Sequence, residues 1–158
     1  HGLDLSCSTE IVQKKKANYI QNNTVVLYPG VEEIIDILKL RKVLVGIVTA
    51  SLHEQLLHSV PPGFLAKFDA IVSSEKTVRG KPFPDPYLKG LAELNLQPEE
   101  CLVVENAPLG IQAAKSAGMY CVGITSTVGR EVLMEADEIV GFFKDLMQSK
   151  ILKSHLLP

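Results

Sequence analysis

The sequence predicts an α/β fold in which a doubly wound, Rossmann-like parallel sheet is covered by helices on both faces. Three observations lead to this fold class. First, 46% of the 158 residues are hydrophobic, which suits strands that are buried on both faces. Second, short apolar runs alternate with segments of helical periodicity, and this alternation is typical of parallel sheets. Third, residues 100–124 contain a strand, an acidic turn, a helix and a second strand in direct succession.

This β-α-β unit is the clearest element of the sequence. Residues 102–104 form an apolar run of the kind found in a buried strand, and Glu105 ends it. Pro108 suits the first turn of a helix, where no backbone N–H is needed, and Gly118 follows the last helical residue. Residues 119–124 predict the second strand. A carboxylate at the carboxyl end of such a strand lies where open α/β sheets bind their ligands.

The elements before this unit follow in chain order. Residues 1–21 are polar with an amphipathic pattern, which predicts one helix. A connector at residues 22–30 leads to a helix at residues 31–40, whose first turn carries two glutamates that suit the helix dipole. The apolar run at residues 43–48 predicts the next buried strand.

Proline and glycine residues punctuate the rest of the chain. Pro61, Pro62 and Gly63 end the helix that follows the strand at residues 43–48. Helices are predicted at residues 52–59, 84–94, 128–134 and 142–152, strands at residues 70–73 and 138–140, and a short covering segment at residues 64–68.

Composition and charge argue against several classes of partner. The net charge of −2 gives no reason to expect nucleic acid or a membrane surface, and the basic run at residues 14–16 is interpreted as a solvated helix face. No apolar run approaches the length of about 18 residues that a membrane-spanning helix needs. Three cysteines without CxxC spacing favour a reduced, cytoplasmic setting in which Cys101 and Cys121 are buried apolar residues.

Polar side chains follow the predicted strands on their carboxyl side: Thr49, Lys81 and Glu105. Because the carboxyl ends of parallel strands share one edge of the sheet, these side chains are expected to converge. Thr49 is either a helix N-cap or part of a phosphate site at a helix start. Lys81 is either a surface lysine or, as the flanking Gly80 and Pro82 favour, a fixed ammonium that neutralises phosphoryl oxygens. Glu105 is either an exposed turn residue or an oxygen ligand for Mg²⁺.

The segments around these residues resemble a known family. Thr49 follows VLVGIV, Lys81 lies in GKPFPD and Glu105 lies in VVENAPLGIQAAKSAGM. These segments resemble the second, third and fourth motifs of the haloacid dehalogenase-like hydrolases. The resemblance covers roughly residues 25–145, and it is strongest to the branch that contains beta-phosphoglucomutase and small sugar-phosphate phosphatases.

The resemblance implies phosphoryl transfer through an aspartyl-phosphate on a small phosphorylated metabolite. Thr49 and the backbone at Ala50 would then hold the phosphoryl group, and Lys81 would balance charge on it and on the nucleophile. Glu105 and Asn106 would hold Mg²⁺. Position 106 is commonly Asp in the family, so Asn106 removes one negative charge, which should weaken Mg²⁺ binding.

The first motif of the family, an Asp-x-Asp pair at the end of a strand, has no counterpart in this sequence. Asp4 lies in GLDLS, which has no preceding strand and no second acid two positions later. We therefore expect residues 1–23 to be the remnant of a helical cap and residues 24–158 to be the core. On this view the chain is a fragment without its first core strand, which would leave two strands without a neighbour and apolar surface exposed. The missing segment would exist as a separate piece or be lost, and the chain alone would be inactive.

Three other interpretations compete with an enzyme core. A degenerate core retained for binding or regulation is the alternative to an enzyme, and a longer version that still lacked Asp-x-Asp would favour it. A phospho-receiver domain shares the sheet, but no acidic strand end precedes Thr49 to accept a phosphoryl group. A dinucleotide-binding domain is disfavoured because no GxGxxG follows a strand.

Overall fold

The structure of the protein, a computed structural model, describes residues 27–156. The helix predicted at residues 1–21 and the proposed cap remnant at residues 1–23 lie outside the described residues. Among the helices that are described, none is long and apolar enough to span a membrane.

Five α-helices and five strands alternate along the described part of the chain. The helices are α1 (Val31–Leu40), α2 (His53–Ser59), α3 (Asp85–Leu94), α4 (Pro108–Ser116) and α5 (Lys150–Leu156). The strands are β1 (Gly46–Val48), β2 (Ala70–Val72), β3 (Leu102–Glu105), β4 (Tyr120–Ile124) and β5 (Glu138–Val140). Short 3₁₀ segments lie at Phe64–Lys67, Ser74–Lys76, Pro98–Glu100, Arg130–Val132 and Phe143–Gln148.

All strand pairs are parallel, which confirms the predicted α/β class. Strand β1 pairs with β2, and β3, β4 and β5 form a second sheet in that order. Helices α3 and α4 pack on one face, whereas α1, α5 and the segment Phe143–Gln148 form a cluster on the other. Successive side chains of β3 enter opposite layers, as expected of a strand buried on both faces.

The predicted sheet is divided in two in the described part of the chain. Between residues 27 and 156 no strand pairs with the inner edge of β1 or of β3. A largely apolar groove of about 930 Å³ lies between these edges, and Ile47, Val48, Val103 and Val104 are among the residues that line it. This arrangement agrees with the expectation that two strands lack a neighbour and expose apolar surface.

Two predicted helices are wrong in detail. Residues 128–134 form only the 3₁₀ turn Arg130–Val132, and the fully buried Leu133 that follows packs against the sheet. The helix predicted at residues 142–152 is divided at Ser149. This residue is extended and almost fully buried, and its hydroxyl accepts the Leu152 N–H at 3.3 Å, so α5 starts there as it would at an N-cap.

The prediction that Cys101 and Cys121 are buried is correct for Cys121 only. Cys121 is completely buried in the layer formed by α3 and α4. Cys101 is only partly buried, because it precedes β3 and lines the groove. Both are free thiols.

Ion pairs hold the amino-terminal ends of the strands. Lys39 Nζ contacts both carboxylate oxygens of Asp69 at 2.7 Å, and Asp69 also accepts the Val45 backbone N–H at 2.8 Å. These bonds, first that from Lys39 and then that from Val45, lower the pKa of Asp69. Asp69 thereby joins α1, the start of β1 and the start of β2.

Replacing Asp69 with alanine is expected to lower the free energy of unfolding by about 0.5–1.5 kcal/mol at neutral pH, because the Val45 N–H loses its acceptor at a partly exposed site. Asp36→Ala is the control: Asp36 contacts Lys67 at 2.6 Å, but its side chain is 57% exposed, and its loss should cost about 0–1 kcal/mol. Urea unfolding at several pH values measures both effects.

The pH dependence of this difference has a definite sign. Because the pKa of Asp69 is lowered in the folded protein, its stabilisation is fully present above the ordinary carboxyl pKa and is lost as the pH falls through the folded value. The stabilities of wild type and Asp69→Ala should therefore converge in acid. A difference that widened on acidification would contradict this account.

Candidate active site

The three predicted residues lie at the carboxyl edge of the sheets, and two of their side chains, Lys81 and Glu105, are in contact. Lys81 Nζ donates to the Val48 carbonyl at 3.1 Å and forms an ion pair with Glu105. Thr49 directly follows Val48, and its N–H donates to Val72 O at 2.8 Å. Lys81 therefore connects the end of β1 to the end of β3 across the groove.

The Glu105 carboxylate is held by four donors. The Lys81 ammonium and the Tyr87 hydroxyl contact Oε1, the latter at 2.7 Å. The backbone N–H groups of Asn106 and Ala107 donate to Oε2 at 3.1 and 3.3 Å. The side chain is only 9% exposed, so it is not the solvated turn residue of the alternative interpretation.

Tyr87 completes this cluster from the first turn of α3. Burial raises the pKa of Tyr87 strongly, and the adjacent Glu105 charge raises it further. The hydroxyl therefore stays protonated and acts as a donor at every physiological pH. The Lys81 ammonium also lies 4.9 Å from the centroid of the Tyr87 ring, within the range of a cation–π contact.

Gly110, in the first turn of α4, provides the space for the carboxylate. A Cβ atom at position 110 would overlap the carboxylate atoms of Glu105. A glycine costs roughly 1 kcal/mol relative to alanine in a helix interior. Its presence here is explained by the close approach of Glu105.

Thr49 does not cap helix α2. Its Oγ1 accepts the Ser51 N–H at 3.1 Å, which makes a local turn, and the His53 N–H at the start of α2 donates to the Glu75 carboxylate at 2.9 Å. A phosphate site at this edge would therefore use the turn and not the start of α2. Ala50 is exposed in that turn, and its N–H has no acceptor among residues 27–156.

The described residues fit half of an Mg²⁺ site. Asn106 follows Glu105 directly, and its Nδ2 donates to Thr127 Oγ1 at 3.2 Å, which leaves the amide oxygen without a donor among the described residues. No group of three or more His, Cys, Asp or Glu residues lies together in the described part of the chain. Since protein-bound Mg²⁺ uses one or two carboxylates and keeps several waters, two oxygen donors are compatible with it but need a partner carboxylate.

Two residues of this site were not predicted, Tyr87 and Gly110. Tyr87 appears in the sequence as one more apolar residue on the buried face of α3, and its contact with a strand end depends on tertiary distance. Gly110 could have been selected from the sequence, because a glycine inside a predicted helix usually marks a close packing contact.

Comparison with known proteins supports a family assignment. The sequence pattern of the haloacid dehalogenase-like hydrolases matches residues 5–124. Validoxylamine A 7'-phosphate phosphatase of Streptomyces hygroscopicus is 36% identical over 124 residues, which cover 78% of this chain and 57% of that protein. Beta-phosphoglucomutase of Bacillus subtilis is 32% identical over 121 residues, with 76% and 51% covered. The chain thus spans about half the length of these relatives.

A solved structure has the same fold. The crystal structure of beta-phosphoglucomutase from Clostridium difficile superimposes with a TM-score of 0.78 at 27% identity, and the match covers 91% of this chain and 65% of that one.

Proposed function

The chain belongs to the haloacid dehalogenase-like hydrolases, and from this premise we propose that it is the core of an Mg²⁺-dependent phosphatase or phosphomutase. Its substrate would be a small phosphorylated metabolite, as the names of the phosphatase and mutase relatives suggest. The observation that carries the proposal is the Lys81–Glu105 pair, which lies at the carboxyl edge beside the Thr49 turn.

Each residue has a role in this proposal. Thr49 Oγ1 and the Ala50 N–H would bind the phosphoryl oxygens, and the Lys81 ammonium would balance their charge. Glu105 and the Asn106 amide oxygen would hold Mg²⁺. When bound, Mg²⁺ would neutralise charge on the phosphoryl group.

The nucleophile would come from a strand that these 158 residues do not contain. The groove between β1 and β3 is bordered by two parallel strand edges and lined mainly by apolar side chains, and Lys81 and Glu105 lie at its carboxyl end. An apolar strand that ended in Asp-x-Asp would place two carboxylates beside the ammonium. We propose that a preceding segment or a separate piece supplies this strand, and that the chain alone is inactive.

The setting of the reaction is proposed on the same grounds. Two free thiols, Cys101 and Cys121, are compatible with a reducing cytoplasm. The net charge of −2 gives no support for nucleic acid or membrane partners. Residues 1–23 would belong to the cap, which in the intact protein would cover the site.

Two observations favour a second candidate, a degenerate core with a binding or regulatory role. Asn106 stands where the family commonly has Asp, and the sequence contains no Asp-x-Asp pair. A protein of this kind would bind a phosphorylated ligand without turning it over.

Two phosphatase assays test the proposal. The 158-residue chain is expected to hydrolyse no sugar phosphate, with or without Mg²⁺. A fusion that places the first strand and cap of the Bacillus subtilis beta-phosphoglucomutase ahead of this chain should show Mg²⁺-dependent turnover. Turnover by the chain alone would contradict the account of the nucleophile, and a folded but inactive fusion would favour the degenerate core.

A further inference from the structure

Two of the four donors to the Glu105 carboxylate are side chains, and both contact the same oxygen. Lys81 and Tyr87 both donate to Oε1, whereas two backbone N–H groups hold Oε2. If Lys81 turns toward a phosphoryl group, Oε1 retains a single side-chain donor, the Tyr87 hydroxyl. The orientation of the carboxylate in that state therefore depends on Tyr87.

Tyr87 and Lys81 differ in how firmly they are held. Tyr87 is 5% exposed and packs in the core with Leu91 and Ile111, so its ring has one position. Lys81 has a flexible four-carbon stem, and its head also contacts the Val48 carbonyl. Of the two donors to Oε1, the ammonium can leave and the hydroxyl stays.

Gly110 restricts the carboxylate from the other side. The carboxylate lies where a Cβ of residue 110 would be, over the first turn of α4. It is thus placed between a helix backbone and the Tyr87 hydroxyl 2.7 Å away. The volume that it can occupy is set by two rigid helices, α3 and α4.

We propose that Tyr87 is a positioning residue, whose hydroxyl keeps the Glu105 carboxylate in one orientation above Gly110 when Lys81 leaves it. The inference rests on the proposed function, because it requires Glu105 to take up a cation. Partners that orient a ligating carboxylate typically contribute about 10–100-fold to metal affinity or activity. Tyr87 should act in this way through a single hydrogen bond.

The test is Tyr87→Phe in the 158-residue chain, which removes the hydroxyl and keeps the ring in the core. Tyr120→Phe is the matched control, because Tyr120 pairs with Leu102 at the amino end of β3, away from Glu105. Without metal, the amide NMR signals of Asn106 and Ala107 should shift in Tyr87→Phe and stay unchanged in the control.

Mn²⁺ provides the second measurement, since it accepts the same oxygen ligands as Mg²⁺ and broadens nearby NMR signals. The titration uses the fusion described above, because Glu105 and Asn106 need a partner carboxylate. In that fusion, the Mn²⁺ concentration that broadens the signals of Asn106 and Ala107 should rise by about tenfold in Tyr87→Phe. Unchanged shifts together with equal Mn²⁺ titrations in wild type and Tyr87→Phe would overturn the inference. If Mn²⁺ leaves these signals sharp in wild type, the proposed metal role of Glu105 fails. The metal-free shifts still decide whether Tyr87 positions the carboxylate.

Discussion

Replacing Lys81 with methionine is expected to lower the turnover of the active fusion by about 10²–10³-fold, or roughly 3–4 kcal/mol of transition-state stabilisation. The reason is that the ammonium lies between the end of β1 and the Glu105 carboxylate, where it would neutralise charge on the phosphoryl oxygens. Methionine keeps much of the length and apolar character of the stem, so the loss reports mainly on charge. Steady-state hydrolysis of a sugar phosphate measures it.

Two further measurements separate charge from structure. Lys76→Met is the control, because Lys76 forms an ion pair with Glu93 at 2.9 Å and its side chain is 38% exposed, so its loss should leave turnover unchanged. In the same fusion, which supplies the partner carboxylates, Lys81→Met should tighten Mn²⁺ binding at Glu105, because the competing ammonium is gone. Unchanged turnover in Lys81→Met would indicate that Lys81 is a surface lysine with no role in the reaction. Weaker Mn²⁺ binding would contradict the competition between the two cations.

A peptide with an apolar run that ends in Asp-x-Asp is expected to bind the groove between β1 and β3. Each large apolar side chain that enters the groove contributes about 1.5–3 kcal/mol, and both strand edges gain hydrogen bonds. At about 100 times its dissociation constant the peptide would raise the free energy of unfolding by about 2.7 kcal/mol. Urea unfolding with and without the peptide measures this stabilisation.

The position of the peptide is checked by amide hydrogen exchange. Protection should increase in β1 and β3, whose inner edges border the groove, and stay unchanged in β5. A peptide with proline at its centre is the control, because proline cannot donate to a neighbouring strand. Equal stabilisation by both peptides, or protection confined to other strands, would contradict the prediction that the groove accepts a strand.

The local elements of the fold could be predicted because they depend on neighbouring residues. Helix α1 begins and ends as predicted, and β3, α4 and β4 follow the predicted order with boundaries shifted by about one residue. The elements near the carboxyl terminus were predicted less accurately. Residues 128–134 and 142–152 have helical periodicity, but Leu133 and Ser149 are buried, and neither segment forms one continuous helix. Tertiary packing overrode local preference there.

The candidate site could likewise be predicted only in part from the sequence. Thr49, Lys81 and Glu105 could be selected from the sequence, because each follows a strand at its carboxyl end, and parallel strands bring those ends to one edge. The partners of Glu105 could not be selected. Tyr87 lies 18 residues before Glu105 and donates to it from helix α3, and no local pattern encodes that contact.

The sequence by itself determined the fold class, the family resemblance and the residues that lie at the carboxyl edge. The reason is that strand periodicity and the residues that start and end helices depend only on short stretches of chain. Only the tertiary structure decided that Lys81 contacts Glu105. It also decided that the Tyr87 hydroxyl donates to this carboxylate and that Gly110 leaves space for it. Finally, it showed that the Glu75 carboxylate accepts the N–H at the start of α2, so that this N–H is not available to a phosphate. The contacts of Lys81 and Tyr87 with Glu105 and of Glu75 with His53 join residues 18 to 24 positions apart in the chain. They arise from how helices and sheets pack and not from the preference of any one segment.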